Sequence, residues 1–275
     1  LPYMRVVARR GSPDYYFTEY FRVHGSSRLD PKILRSITEK PDDRPVFAQL
    51  IGENVADLRR TARNLRQYPV AGIDLNMGCP APRVYRKNVG GGLLRDPKAV
   101  DRILGALREE SPDLLTVKMR IGFEDDRHFD ALLDLLDKHS VDLLSLHVRT
   151  VRGGYRSEPS YEHASHAVDR LPCPVLLNGN ISSARVACQE VSKSGAYGAM
   201  IGRAAIRNPW IFRQIRQTQA NETVFRPNLK DVYAYVLELY EEFSSVEVPE
   251  VKQVARMKKF LNFVGLGVDS QGIFL

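Results

Sequence analysis

The 275-residue chain has only three cysteines, Cys79, Cys173 and Cys188, and a single tryptophan. The thiols form no CxxC pair and lie at no metal-ligand spacing with histidine, which argues against a disulfide framework and a structural zinc site, so no metal is expected. No stretch approaches the ~20 uninterrupted apolar residues of a membrane helix, so no membrane partner is expected. The opening segment LPYMRVVARR lacks the apolar run and cleavage site of a secretory signal, which makes a cytoplasmic location the default expectation. There is no low-complexity segment and no repeat beyond a strand-helix unit.

What is present is a globular composition, 43% hydrophobic and 27% charged, enough for one large core with a small appendage. The net charge of +7 favours a polyanionic partner, because clustered Lys and Arg release counterions when they meet phosphates.

Short Val/Ile/Leu-rich runs recur: YYFTEY at 15–20, VFAQLIG at 46–52, GIDLNMG at 72–78, LTVKMRI at 115–121, DLLSLHV at 142–148, PVLLNGN at 174–180 and GAMIGR at 198–203. Amphipathic helix candidates separate most of them, which predicts a parallel (β/α)8 TIM barrel. Seven strands are visible where eight are needed. Residues 1–10 have a helical pattern, so the expectation is that the chain starts just after the first barrel strand and leaves an unpaired edge. Two longer helix candidates, 231–245 and 249–265, then predict a helical unit at 223–275, itself cut short, after a barrel at 1–222.

In such a barrel the active site sits at the carboxyl ends of the strands. Polar residues recur there: Gln49, Asp74 and Asn76, Lys118 and Arg120, Ser145, His147 and Arg149, then Asn178-Gly179-Asn180 and Gly202-Arg203. A lone Lys or His at a strand end is ordinarily solvated or hydrogen-bonded core, but repetition on six successive strands points to a ligand site. Gly179, Gly202 and Arg203 suit a phosphate. Lys118 and His147 suit a flavin ring, as positive charge or donors, and Gln49 both donates and accepts.

Gly78 permits close backbone approach and Pro80 ends the strand, which places Cys79 at the mouth. An ordinary free thiol titrates near ~8.5 and is mostly protonated at neutral pH, which suits a proton donor more than a nucleophile. Cys173 and Cys188 have core settings instead.

The run DLNMGCPAPRVYRKNVGGGLLRDP at 74–97, with TEYFRV, VKMRIGF, HVRT, NGNI, MIGRAAIRNPWIF and VARMKKFL, resembles the signature of the tRNA-dihydrouridine synthases across nearly the whole chain. The resemblance implies FMN as cofactor, NADPH as electron donor, tRNA as substrate and a monomer. By matching motif, Cys79 would protonate C5 of a uracil as hydride reaches C6. Gln49, Lys118 and His147 would contact the flavin ring, and Asn178, Gly179, Asn180, Gly202 and Arg203 its phosphate. Asn76 and Arg120 would hold the base, with Arg149, Thr150 and Tyr155 lining the pocket. TEYFRV and VARMKK resemble the subgroup acting on uridine 16 of the D-loop. Two departures stand out: an initial Ala-Pro-Met strand is absent, and Asn180 replaces a usual acidic residue.

Arg22, the loop Arg83, Arg86 and Lys87, and the last helix with Lys252, Arg256, Lys258 and Lys259 would form a basic groove for the tRNA backbone. The competing readings are a flavin barrel acting on a free pyrimidine, similar to dihydroorotate dehydrogenase, and a noncatalytic RNA-binding barrel.

Overall fold

In the computed structural model, residues 1–111, 113–244 and 249–268 are described. The chain opens with α1 (Pro2–Gly11), β1 (Tyr16–Phe17), β2 (Phe21–Arg22) and α2 (Pro31–Thr38). It then alternates through β3 (Val46–Ile51), α3 (Val55–Leu65), β4 (Gly72–Met77), the short α4 (Pro82–Tyr85) and a 3-10 turn at Gly90–Arg95. Next come α5 (Pro97–Glu110), β5 (Leu114–Arg120), α6 (Phe129–Lys138), β6 (Leu143–His147) and α7 (Glu162–Arg170). The last βα units are β7 (Val175–Asn178), α8 (Ala184–Ser194), β8 (Gly198–Met200) and α9 (Arg203–Arg207), followed by α10 (Ile211–Gln219), α11 (Leu229–Phe243) and α12 (Glu250–Val268).

Local chemistry explains where the helices begin. Asn54 accepts from the Asp57 N–H, Asp96 from Ala99 ahead of Pro97 at the first turn, and Ser183 from Val186. These are the side chains that satisfy orphan amides at a helix start. Asn228 and Asp231 form a reciprocal capping box for α11, the arrangement that satisfies two donors at once.

All strand pairs are parallel, in the order β1-β3-β4-β5-β6-β7-β8, with β2 also on β3. The expected α/β barrel is therefore present, with helices outside and a core of buried Val, Ile, Leu and Met within. The stretch 15–20 is not one strand, however. Phe17 pairs with Phe47 and Phe21 with Leu50, so three residues face two across the ladder, the two-against-one mismatch of a bulge. The Thr18 hydroxyl accepts from the Gln49 N–H there. β1 and β2 thus share one strand position, giving the seven positions expected.

Residues 2–11 are helical, as expected, and among the described residues β1 and β8 do not pair with each other. The outer edges of these strands border a cleft of about 380 Å³ lined by Tyr15, Phe17, Tyr197, Met200 and Phe212 among others. Beyond the barrel, Val6 and Trp210 share a second core with Tyr235, Leu239, Met257 and Val264. Arg10 lies 5.1 Å from the Tyr235 ring centre, and the Tyr235 hydroxyl donates to the Ile206 carbonyl at 2.8 Å. This core brings α12 against α9, and so to the rim of the barrel mouth. The end of the proposed helical unit, 269–275, lies outside the described residues.

Candidate active site

Strand register stacks the polar residues in layers. Gln49 pairs with Asp74 and Asp74 with Thr116. Asn76 pairs with Lys118 and Lys118 with Ser145. Nearest the mouth, Arg120 pairs with His147 and His147 with Asn178. The alternation of a strand aims these side chains to one face while Leu75, Val117, Met119, Leu144 and Leu146 face the other.

The deepest layer satisfies itself. Asp74 is fully buried and accepts from Gln49 Nε2 and Thr116 Oγ1, both at 2.7 Å. Burial pushes its carboxyl above the usual range, while those two donors and nearby Lys118 pull it down. Asn76 Nδ2 donates to Gln49 Oε1 at 2.8 Å, and Asn76 Oδ1 accepts from the Gly78 and Cys79 amides at 3.0 and 3.1 Å.

Above it opens a cavity of about 600 Å³. Its lining includes Asn76, Cys79, Lys118, Arg120, His147, Tyr155, Asn178, Gly179, Asn180, Gly202 and Arg203. Eleven of the residues singled out from sequence are thus brought together. Six are not in the lining. Gln49 stands behind Asn76, and Arg149 and Thr150 serve the neighbouring loop, where Arg149 Nε donates to the Ser157 carbonyl and Thr150 Oγ1 accepts from Gly153. Arg22, Arg256 and Lys258 are exposed outside the cavity.

Lys118 Nζ donates to Asn178 Oδ1 at 3.1 Å, and Asn178 in turn donates to the Met200 carbonyl. Burial lowers Lys118 to about 8, against the opposing pull of Asp74 and with a further push from Arg120. His147 is lowered to about 2 by burial first, then by Arg120, Lys118, Arg149 and Arg203. It is therefore a neutral imidazole and supplies no positive charge, a correction to the charge option read from sequence. Arg120, 1% exposed, is a clamp: Nε donates to the Gly78 carbonyl and Nη1 to those of Thr150 and Gly154. It ties the loop after β4 to the loop after β6.

Two glycines are demanded by this geometry. Gly179 has φ +110°, a region L side chains rarely adopt, and lies against the His147 ring. A Cβ on Gly91 would stand 2.6 Å from Val151 Cγ2 and 2.9 Å from the Cys79 carbonyl oxygen. The GGG run is thus the backing of the cysteine. Asn180 also has a positive φ, 56°, which asparagine tolerates.

Of the buried side-chain atoms without partners, His147 Nδ1 and Arg207 Nε belong to residues that line the cavity, Ser145 Oγ and Arg149 Nη1 to residues on or just beyond the same strand as His147, and Tyr3 Oη, Ser111 Oγ and Asn208 Oδ1 to residues outside the lining. Such groups are rare in folded proteins, and the two on the cavity wall are where a bound group could complete the bonding. Arg207, Phe263 and Leu266 also line the cavity and were missed from sequence. Arg207 carried a weak signal, a second cation four residues after Gly-Arg; the α12 residues carried none, since only packing brings that helix to the rim. Cys173 packs against the core with its thiol pushed up to about 11 by burial, but Cys188 is only half-buried on α8 rather than a core residue.

A sequence model described as dihydrouridine synthase (Dus) matches residues 1–262. The chain belongs to the dihydrouridine synthase family. It is similar to a probable tRNA-dihydrouridine synthase of Helicobacter pylori, 33% identical over 78% of this chain and 66% of that one. It is also similar to tRNA-dihydrouridine(16) synthase of Neisseria meningitidis, 27% identical over 94% of this chain and 80% of the relative. The chain therefore spans just under two thirds of the first of these relatives. Among solved structures, a variant of NCR from Zymomonas mobilis has the same fold at TM-score 0.55, with 13% identity over 83% of each chain. Another fold match, 2-naphthoyl-CoA reductase, has TM-score 0.56 and 12% identity over 80% of this chain and 46% of that one.

Gly91→Ala is expected to cost about 1–3 kcal/mol of stability by overpacking. It should also change the rate at which iodoacetamide alkylates Cys79, read by mass spectrometry of the Cys79 peptide, because the added methyl group must push on Val151 or the Cys79 carbonyl.

Proposed function

We propose that the protein is a tRNA-dihydrouridine synthase that reduces the C5–C6 double bond of a D-loop uridine, using FMN and NADPH. The observation that carries this reading is Cys79 on the wall of a cavity shared with Lys118, Arg120 and His147, in a chain that belongs to the family. The residues present fit a flavin. His147 Nδ1 and Arg207 Nε lack partners, Lys118 provides an ammonium, and Gly202 leaves backbone open where a phosphate needs close approach. Lys118 and His147 would hold the ring, and Asn178, Gly179, Asn180, Gly202 and Arg203 the phosphate. Gln49 supports the ring site from behind Asn76. Bound there, FMN would supply hydride chemistry at C6, with NADPH as the source of its electrons.

The chain's own residues do the rest. Asn76 presents its remaining amide hydrogen to the cavity. The Cys79 sulfur gives its proton to C5 as the C6–H bond forms, and the resulting thiolate is held by Lys118 and Arg120, which lie within electrostatic reach of it. Solvent then returns the proton. Tyr155, half exposed at the rim, has the Arg203 guanidinium 3.8 Å over its ring, a surface on which a turned-out base can stack.

The charge pattern favours a nucleic-acid substrate over a free pyrimidine. Some cations on the outer helices are neutralised, such as Arg9 by Glu238 and Glu242, Arg63 by Glu110, and Lys138 by Asp101, whereas Lys98, Arg102 and Arg185 have no ion pair among the described residues. Arg83, Arg86 and Lys87 follow Cys79 directly, are exposed and have no ion pair among the described residues; the same holds for Arg256 and Lys258 on α12. Unpaired cations are free to displace counterions from phosphates. We place the reaction in the cytoplasm and the protein as a monomer on the same reading.

Incubated with NADPH and unmodified tRNA, the full-length protein is expected to form dihydrouridine at one D-loop position, mapped by mass spectrometry. Cys79→Ala should lower the rate by about 10²-fold or more, the loss of a positioned acid; no product from the intact protein would sink the reading. The Arg83→Ala, Arg86→Ala, Lys87→Ala variant should weaken tRNA binding and flatten its dependence on log salt by about one unit for each phosphate left without its cation. An unchanged slope would place the tRNA elsewhere. Lys118 carries its charge below about 8 and loses it as pH rises, so FMN affinity is expected to fall between neutral and alkaline pH, with the bound flavin moving the midpoint upward. Lys118→Met should bind FMN more weakly and without that pH dependence; a matching pH dependence in the variant would assign it to another group.

A further inference from the structure

Asp74 is the most deeply buried acid of the barrel and touches neither the cavity nor the solvent. The mechanism above gives it no task. Its contacts form one end of a chain of hydrogen bonds whose other end is the backbone of the cysteine: Asp74 to Gln49, Gln49 to Asn76, Asn76 to the amides of Gly78 and Cys79.

Amides can be turned end for end, so their direction has to come from groups that cannot. Both ends of this chain are such groups. The Gly78 and Cys79 N–H groups only donate, which obliges Asn76 to present Oδ1 to them and Nδ2 to Gln49. An Asp74 carboxylate that already receives the Thr116 hydroxyl only accepts, which obliges Gln49 to present Nε2 to it and Oε1 to Asn76. The two demands agree. Each amide has two N–H bonds, so Asn76 has one left over, and Asn76 lines the cavity. If Gln49 turned over, its NH2 would face the NH2 of Asn76, and Asn76 would have to release the Cys79 amide or lose its partner.

We propose that Asp74 is a positioning residue for Cys79: by fixing the direction of the Gln49 and Asn76 amides it holds the cysteine backbone in place and leaves Asn76 as a donor to the substrate. The proposal rests on the dihydrouridine synthase reading for its effect on turnover, but not for its effect on the thiol. Asp74 itself contacts no reacting atom.

The test compares Asp74→Asn with Asp74→Leu in the full-length protein, reading kcat, KM for tRNA, and alkylation of Cys79 by iodoacetamide. In Asp74→Asn, Oδ1 can still accept from Gln49 while Nδ2 donates to the Thr116 hydroxyl, which accepts as well as donates. This variant should keep kcat and the alkylation rate within about threefold of the parent. Asp74→Leu removes the acceptor and should lower kcat by about 10²-fold with KM nearly unchanged, as expected for a misplaced reacting group. Full kcat in Asp74→Leu, or an equal loss in both variants, would overturn the proposal.

Should Asp74→Leu not fold, isosteric exchanges decide. Gln49→Glu faces one acceptor with another and should shift Cys79 alkylation several-fold. Adding Asp74→Asn restores a donor opposite Glu and should return the rate to that of the parent; failure to return overturns the relay. If the parent forms no dihydrouridine while this rescue of alkylation is seen, the relay stands and the assigned reaction falls.

Discussion

The lower part of this barrel is closed to solvent, with Asp74 and Thr116 almost wholly buried, so inward polar side chains there find their partners among one another. That constraint governs the site more than any single contact. Leaving a buried amide or hydroxyl unpaired costs roughly 1–3 kcal/mol, and more for a charge. Parallel register answers it in the lower layers by setting Gln49 beside Asp74 and Asp74 beside Thr116. Asn76, one pleat higher, completes the set. The bonds close at the bottom and stay incomplete at the top, where Ser145 Oγ and His147 Nδ1 lack partners. A site that is rigid below and unsatisfied above is ready for a ligand at the mouth alone.

Charge follows the same division. Many acids and bases on the outer helices pair with one another, while inside the mouth burial keeps one imidazole neutral and Arg120, Lys118, Arg149 and Arg203 about it add to that effect. Arg120 is kept in place by three backbone carbonyls rather than by a carboxylate. Its charge therefore remains uncancelled and contributes to the field at the sulfur. Positive potential inside the cavity, continued outside by the unpaired cations after Cys79, favours an anion at the mouth.

Much of this was legible in the linear chain. The βα alternation, the helical first ten residues, the unpaired edge and the convergence of polar residues at one mouth follow from period-2 and period-3.6 patterns, which are local. What was not legible depended on contacts between distant segments. The bulge at 18–20 arises because Thr18 meets the Gln49 amide. Gln49 was expected in the pocket wall and stands behind it because Asn76 comes between. Arg149 was expected to line the pocket, but its guanidinium turns to the Ser157 carbonyl. Leu266 and Phe263 reach the cavity through packing of α12 on α9.

The sequence by itself determined the architecture and which thiol stands at the barrel mouth, because hydrophobic period and the Gly-Cys-Pro ending act over a few neighbouring residues. Only the tertiary structure decided what each polar group does: that His147 is neutral, that Arg120 is a clamp, that Asp74 lies beneath the cavity and reaches the cysteine backbone only through Gln49 and Asn76. Protonation and hydrogen-bond direction depend on desolvation and on partners from other strands, and neither exists until the strands are side by side.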